Sequence, residues 1–360
     1  MNSVFRLILA GIALSVARSQ SFLPVGSDGA SGISDLVLIY QGGTHRLPWT
    51  GEQLAPYVSF RDSSGGNERW LFDGFLFIEF KDNRGHEYAH GYGQKPARKQ
   101  DWEFLLNRNF EPGVALHALD SVAGATASRL GQPLRERKVV LTIPEPIMSQ
   151  TGWGVLGADT LDFNRLADRV RACRWYIDEA IGRWKAFAPR NLTLAGFYWV
   201  AEHSAESNEI LPEVARLIRE RGKRFFWIPY WNAAGAGQWK QSGFDAAYQQ
   251  PNHFFHPEVP DTRLDEALAF ARRNGMGMEM EFDQRAISSP GEFRPRLTAY
   301  LEHFKNHGAL DSAAIAYYEG GGALLAMWQA KDPAVKKLYE LVACVVAGRQ
   351  QWADRLFRGN

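Results

Sequence analysis

The stretch GMGMEMEFDQ, residues 275–284, alternates acidic with apolar side chains directly after a segment with helical periodicity. The acids are Glu279, Glu281 and Asp283, and the apolar residues between them are Met278, Met280 and Phe282. Side chains two positions apart lie on the same face of a β-strand, so the pattern predicts a strand with three carboxylates on one face. Such a strand fits either a solvated sheet edge or the open mouth of a barrel, where the carboxylates have a role.

Seven other short runs are mainly apolar and are bounded by polar or turn-forming residues. They cover residues 36–43, 75–80, 139–146, 192–203, 224–231, 244–252 and 313–322. Nearly continuous apolar runs are typical of strands that are buried on both faces of a parallel sheet. Together with the stretch at 275–283, they predict eight parallel strands.

Segments with helical periodicity lie between most of these runs. They cover 161–188, 207–222, 261–275, 291–308, 335–348 and part of 99–131, whereas the gaps after the first and fifth runs look like loops. Eight strands that alternate with helices in a chain of 360 residues predict an α/β fold, a (β/α)8 TIM barrel with extended loops at the C-terminal face. The alternative is a doubly wound open sheet, but no dinucleotide-binding or phosphate-loop glycine motif follows the first run. We expect one domain over residues 30–350.

The net charge and the N-terminus limit the classes of partner. A net charge of +1 offers no basic field for nucleic acid. Arg6, the apolar segment 7–17 and the small residues near Ser21 predict a signal peptide over residues 1–20 and a secreted or periplasmic protein. The alternatives are a core strand or a retained anchor. No run approaches the roughly 20 apolar residues of a membrane-spanning helix, and the sequence indicates no oligomeric state.

The sequence also predicts neither a metal site nor a cofactor. The two cysteines, Cys173 and Cys344, lie in predicted helices, where a buried apolar role is more common than a disulfide. Without clustered histidines they make no zinc site, and no nucleotide-binding motif appears.

In a (β/α)8 barrel the functional residues lie at the C-terminal ends of the strands. Five predicted strands end in acid, at Glu79, Glu145, Glu202, Glu279 to Asp283, and Glu319. Carboxylates in such a mouth serve glycoside hydrolysis or hard-cation binding, and the nearby aromatic rings favour a carbohydrate substrate. The candidates for substrate binding are Gln41, Glu79, Glu145, Trp199, His203, Trp227, Tyr230, Trp231, Asn232, Tyr248, Gln249, Asp283 and Glu319.

Glu202 after the fourth strand and the carboxylates of the seventh strand resemble the clan of retaining (β/α)8 glycoside hydrolases. The resemblance implies that Glu202 is the catalytic acid/base and Glu281 the nucleophile, with Glu279 as the second candidate for that role. The sequence departs from the clan's pattern at Ala201, where those enzymes usually carry asparagine.

The segments LVLIYQGG, FYWVAEH, RFFWIPYW, YQQPN and MEMEFD are also similar to the bacterial family called domain of unknown function 4855, over close to the full length after the signal. That resemblance implies an exported, carbohydrate-active barrel and no defined activity. Two alternatives to a glycoside hydrolase stay open. One is a non-catalytic carbohydrate-binding barrel, and the other is a metal-dependent enzyme that uses the same acids as ligands.

Overall fold

The structure is a computed structural model that describes residues 20–61 and 65–359. Apart from Gln20, the predicted signal peptide lies outside the described residues. None of the helices in the described part of the chain combines the length and the hydropathy that a bilayer-spanning helix requires.

Eight parallel strands, labelled β1 to β8 in chain order, close into a barrel. Each strand from β2 to β8 pairs with the strand before it in the chain, and β8 pairs with β1 to close the ring. All eight predicted runs are confirmed as strands, each shorter than its apolar run. The strands are Asp35–Tyr40, Gly74–Ile78, Arg137–Ile143, Leu192–Trp199, Arg224–Trp227, Ala246–Gln249, Gly277–Glu281 and Ile315–Tyr318.

Helices α1 to α11 surround the barrel. They are Gly51–Val58, Lys99–Asn109, Ala115–Leu130, Leu166–Phe187, Leu211–Glu220, Thr262–Asn274, Arg285–Ser288, Pro290–Asn306, Ala309–Ser312, Ala323–Gln329 and Pro333–Gly359. The gap after β1, which was expected to be a loop, contains α1 instead. Thr50 and Gln53 form a capping box there, which satisfies backbone N–H groups at the helix start. Between β5 and β6 the structure has only the short 3-10 turn Ala236–Gln238, as expected for a loop.

The strand alternation separates two apolar layers. Leu38 and Tyr40 of β1, like Tyr198 of β4, belong to the cluster inside the barrel. Met278 and Met280 of β7 belong to the larger cluster between the barrel and its helices. Because neighbouring side chains of a strand point to opposite faces, the glutamates between and after these methionines point inward. The alternating stretch at residues 275–284 therefore contains a barrel strand and not a solvated sheet edge.

The amino end of the barrel is closed, so the strands open only at their C-terminal ends. The backbone N–H of Leu23 bonds to the carbonyl oxygen of Met276 at 3.0 Å, and its carbonyl oxygen accepts from Ala314 at 2.8 Å. Buried ion pairs, among them Arg349 with Asp35 at 2.6 Å, fill the space below the strands. Functional residues in this architecture lie at the opposite, open end.

Both cysteines are free thiols, but only one of them is buried as expected. Cys173 is buried, as expected, and burial raises the pKa of its thiol to about 12. Cys344 is exposed on α11, so the prediction that it is a buried apolar residue is wrong.

Candidate active site

Three glutamates from two opposite parts of the barrel lie together at its mouth. Glu279 and Glu281 belong to β7, and Glu202 lies three residues after the end of β4. Glu202 continues the inward alternation of Tyr198 and Val200, both of which are in the interior cluster. The carboxyl groups are close enough that the charge of Glu281 raises the pKa values of Glu202 and Glu279, and the charge of Glu202 also raises that of Glu279. No described lysine or arginine forms an ion pair with any of them, whereas Glu79 is paired with Arg46 and Asp283 with Arg285.

Glu202 is half-buried, and one of its oxygens is hydrogen-bonded. Tyr92 is 39% exposed, and its hydroxyl donates a hydrogen bond to Oε2 of Glu202. Burial, with a smaller contribution from the charge of Glu281, raises the pKa of Glu202 from 4.5 to about 7, although the bond from Tyr92 acts in the opposite direction. A carboxyl group with this pKa can give and take a proton near neutral pH.

Glu279 is only 2% exposed and makes no hydrogen bond or ion pair with any residue that the structure describes. Its carboxyl oxygens are nevertheless not completely buried, so they are accessible to solvent at the mouth. Burial, followed by the charges of Glu281 and Glu202, raises the pKa of Glu279 well above its ordinary value. An unpaired carboxyl group is costly to bury, and such groups are found where function requires them.

Glu281 is fully buried, and its carboxyl group is held by donors from a helix and a loop. Its Oε2 accepts from the hydroxyl of Tyr300 on α8 and from the backbone N–H of His253 at 3.1 Å. Its Oε1 is buried without a hydrogen-bond partner among the described residues. Burial raises the pKa of Glu281, while the donors from Tyr300 and His253 favour its charged form.

An aromatic rim, formed by Tyr40, Phe80, Tyr92 and Tyr318, lines one side of the mouth. Phe80 stacks on Tyr92 with ring centroids 4.3 Å apart, and Tyr40 meets Tyr318 edge-on at 5.6 Å. Burial and the nearby glutamates raise the pKa values of all three tyrosines. This rim was not predicted from the sequence, where substrate-binding aromatics were expected at the ends of β4 to β6. Tyr40 and Tyr318 both belong to the inward phase of their strands, which the sequence of these apolar runs does not identify.

Three of the predicted strand-end acids have structural partners instead of a place in the mouth. Glu79 forms a two-pronged ion pair with Arg46 at 2.8 and 3.0 Å and also accepts from the backbone N–H of Gly43. Glu319 accepts from the backbone N–H groups of Gly322 and Leu324, at 2.7 and 3.0 Å, at the start of α10. In both strands the acid follows an inward-facing residue, so it points outward.

Glu145 joins two loops above the barrel. Its oxygens accept from the Ser207 hydroxyl at 2.8 Å and from the backbone N–H of His90 at 3.1 Å. Its own backbone N–H donates to the carbonyl oxygen of Tyr88 at 2.7 Å. These bonds fix the loop that carries Tyr92, so Glu145 acts on the mouth through that loop.

The three tryptophans predicted to bind substrate do not line the mouth. Trp199 and Trp227 are fully buried in the layer between barrel and helices, where Trp227 stacks on Phe244 at 4.8 Å. Trp231 points toward α6 and packs edge-on against Phe270 at 6.1 Å. The sequence prediction failed here because a run that is apolar on both faces does not show which phase faces inward.

The remaining predicted residues divide between the mouth and the surrounding structure. Tyr230 and His203 are half-buried beside Glu202, with ring centroids 6.1 Å apart. Asp283 is held by Arg285 at 2.8 to 3.1 Å, and Asn232 is exposed in a turn with a positive φ of 61°.

Three more of these residues are fully buried away from the mouth. Gln41 donates to the carbonyl oxygen of Arg108 at 2.8 Å, and Gln249 donates to that of Gln250 at 2.9 Å. Tyr248 fills the barrel interior beside Gly277, and its pKa is raised by burial and by charges at the closed end. None of the three offers a group to a ligand in the mouth.

Two groups in the described part of the chain bring three possible metal ligands within 4.8 Å of one another. They are Asp82 with His86 and Asp101, and Asp265 with His303 and His307. Neither group contains a mouth glutamate, so a metal-dependent reaction at the mouth gains no support from these ligand sets.

A family model described as domain of unknown function (DUF4855) matches residues 35–344. This chain belongs to the DUF4855 family. Among solved structures, this DUF4855 protein is similar to a mutant tryptophan synthase alpha-subunit from Pyrococcus furiosus, with 10% identity and a TM-score of 0.42 over 91% of this chain and 100% of that one. It is also similar to the tryptophan synthase complex from the same organism, with 11% identity and a TM-score of 0.38 over 89% and 97% of the two chains. No curated protein matches the chain.

Proposed function

We propose that this DUF4855 protein is an exported glycoside hydrolase with a retaining mechanism. The observation that carries the proposal is the set of unpaired carboxyl groups from β4 and β7, which share one mouth with the aromatic rim. Two carboxyl groups on either side of a scissile bond are the common requirement of glycoside hydrolysis. Export is supported by Arg6 and the apolar segment that follows it.

Glu202 fits the acid/base because its pKa is raised to about 7. In its neutral form it donates its proton to the glycosidic oxygen while the bond from that oxygen to the anomeric carbon breaks. A β7 carboxylate attacks the same carbon and forms a glycosyl ester. Glu202, now charged, then takes a proton from water, whose oxygen displaces the carboxylate and releases the sugar.

Accessibility favours Glu279 over Glu281 as the attacking carboxylate. The oxygens of Glu279 reach the mouth and carry no hydrogen bond from described residues, whereas Glu281 is fully buried and held by Tyr300 and His253. Whether a group can contact the reacting atom is the first criterion for a catalytic role, and its pKa is the second. The order implied by the resemblance, Glu281 before Glu279, is therefore reversed in this proposal. The charge of Glu281 raises the pKa of Glu202, which favours the protonated form that the acid/base needs in the first step.

The non-catalytic alternative has less support from the mouth. Two of the structural acids at this end of the barrel are neutralised by cations, Glu79 by Arg46 and Asp283 by Arg285. Glu202 and Glu279 have no such partner among the described residues. Burying them without a cation destabilises the fold, so a catalytic role explains their presence better than binding alone.

The test is a polysaccharide and oligosaccharide screen with the mature protein, followed by variants on the substrate found. We expect Glu202→Gln and Glu279→Gln each to lower kcat/KM by at least about 1,000-fold, since each removes a group that acts in the transition state. Glu258→Gln, on the exposed surface, is the matched control.

Azide distinguishes the roles of the carboxyl groups. With Glu279→Gly, azide should restore turnover and give a glycosyl azide of inverted configuration, because it enters where the nucleophile stood. With Glu202→Gly it should give the retained product. Rescue at Glu281→Gly instead would move the nucleophile to that residue, and full activity of both glutamine variants would refute the proposal.

A further inference from the structure

A second cluster of polar side chains lies on the outer wall, away from the mouth. Asp265 belongs to the first turns of α6, while His303 and His307 lie at the C-terminal end of α8. Oδ1 of Asp265 is 2.6 Å from Nδ1 of His303 and 2.9 Å from Nε2 of His307. The carboxylate therefore already brings one nitrogen of each imidazole to a common point.

The cluster is a built arrangement and not a chance approach of mobile side chains. His303 and His307 are four residues apart, which places them on one face of the helix end. Arg272 of α6 donates to the backbone carbonyl oxygen of His307, so the end of α8 is fixed against α6. The side chain of His303 is 25% exposed, that of His307 39% and that of Asp265 43%, so an ion can reach them from solvent.

We propose that Asp265, His303 and His307 form a binding site for a divalent transition-metal ion such as Zn²⁺. Two imidazole nitrogens and one carboxylate oxygen are ligands that Zn²⁺ accepts, and three protein ligands leave the fourth tetrahedral position to water. Metal–ligand bonds of about 2.0 to 2.2 Å place neighbouring ligand atoms roughly 3.3 Å apart. The present distances of 2.6 and 2.9 Å need to open by less than about an ångström.

Binding exchanges protons for the metal. In the hydrogen-bonded cluster, the imidazole nitrogens that face Asp265 carry hydrogens, and the ion takes their place on both rings. The other cluster, around Asp82 and His86, is a weaker candidate because the guanidinium of Arg84 is 3.1 Å from Asp82 and 3.7 Å from Asp101. A cation already occupies part of that space.

The site would connect the outer wall to the mouth. Tyr300 lies one turn before His303 on α8, and its hydroxyl donates to Glu281. A metal ion that joins α6 to α8 would hold the helix that positions this hydroxyl. The proposal does not depend on a glycosidase activity, because its tests measure metal binding and thermal stability alone.

The experiment is a calorimetric titration of the chelator-treated, untagged protein with Zn²⁺ as its chloride salt. We expect one ion per chain, a rise in Tm when the ion is present, and, with Co²⁺, the intense visible absorption of a tetrahedral site. His303→Ala and His307→Ala should each weaken binding by more than about 100-fold, since loss of an outer partner alone costs 10- to 100-fold. His86→Ala is the control and should leave binding unchanged.

Two results would overturn the inference. One is the absence of saturable 1:1 binding of Zn²⁺, which would show a hydrogen-bonded cluster only. The other is binding that persists in the double variant His303→Ala/His307→Ala, which would place the ion elsewhere. All three ligands are at the surface, so the variants should fold, and their far-UV circular dichroism verifies that they do.

Discussion

Replacing Glu202 by glutamine should stabilise the folded protein at high pH and leave its stability unchanged at low pH. Glutamine has the shape of the neutral carboxylic acid, and its side-chain oxygen can still accept the hydrogen bond from Tyr92. The substitution therefore removes the charged form of Glu202 and little else. The free energy of unfolding reports directly on how costly that charged form is.

The sign and size follow from the pKa of Glu202. It is about 7 in the folded protein and 4.5 as the reference for the unfolded chain. Between these values the folded state binds the proton more tightly, so the contribution of Glu202 to stability falls as pH rises from 4.5 to 7. Each pKa unit corresponds to about 1.4 kcal/mol. The full effect is then up to about 3 kcal/mol above pH 7, and about 1 to 3 kcal/mol after allowance for solvent screening of a half-buried group.

The assay is urea unfolding of the wild type and Glu202→Gln at a series of pH values from about 4.5 to 8, with the m-value followed as a check on two-state behaviour. The difference between the two proteins should be near zero at the acid end and should grow until the pH passes the folded pKa. Glu79→Gln is the contrasting control. It breaks the buried ion pair with Arg46, so it should destabilise by about 3 to 5 kcal/mol throughout this range.

A constant difference across the pH range would refute the reasoning, because it would mean that Glu202 titrates alike in the folded and unfolded states. A difference of the opposite sign, with Glu202→Gln less stable than the wild type throughout this range, would contradict it as well. That outcome would give Glu202 a lowered pKa and identify it as the partner of a cation.

Three further predictions concern the surroundings of these groups. Tyr92→Phe removes a bond to the charged form of Glu202, so the alkaline limb of the pH–activity profile should move to higher pH, measured as kcat/KM. Tyr300→Phe leaves Glu281 with one donor fewer and should destabilise by about 1 to 3 kcal/mol in urea unfolding at neutral pH. Gly277→Ala should lower Tm markedly, because a Cβ there would lie 2.5 Å from the backbone oxygen of Ala314, which directly precedes β8.

The sequence predicted the barrel because its signal is distributed along the whole chain. Eight apolar runs with helices between most of them leave few other architectures, and errors in single boundaries do not change the result. Helix α1 was missed because Pro56 lies inside its eight residues and the segment is short. The capping box at Thr50 and Gln53 is the local signal that identifies it.

The site was predictable only in part, because it depends on which phase of each strand faces inward. Glu202 and Glu279 were named from their strand-end positions, but Glu79 and Glu319 were named on the same ground and point outward to structural partners. A strand that is apolar on both faces gives no sign of its inward phase. The contacts of Tyr92 were beyond prediction for another reason, since they depend on a loop that crosses over the mouth.

Functional and structural acids differ in the sign of the change in stability that neutralising them produces. Glu79 is satisfied by a cation and a backbone N–H, so neutralising it leaves Arg46 without its partner and destabilises the fold. Glu279 has burial and two neighbouring acids against its charge and no donor among the described residues, so neutralising it relieves repulsion. Stability alone would favour an uncharged side chain at Glu279, and the carboxyl group there is explained by the chemistry proposed for the mouth.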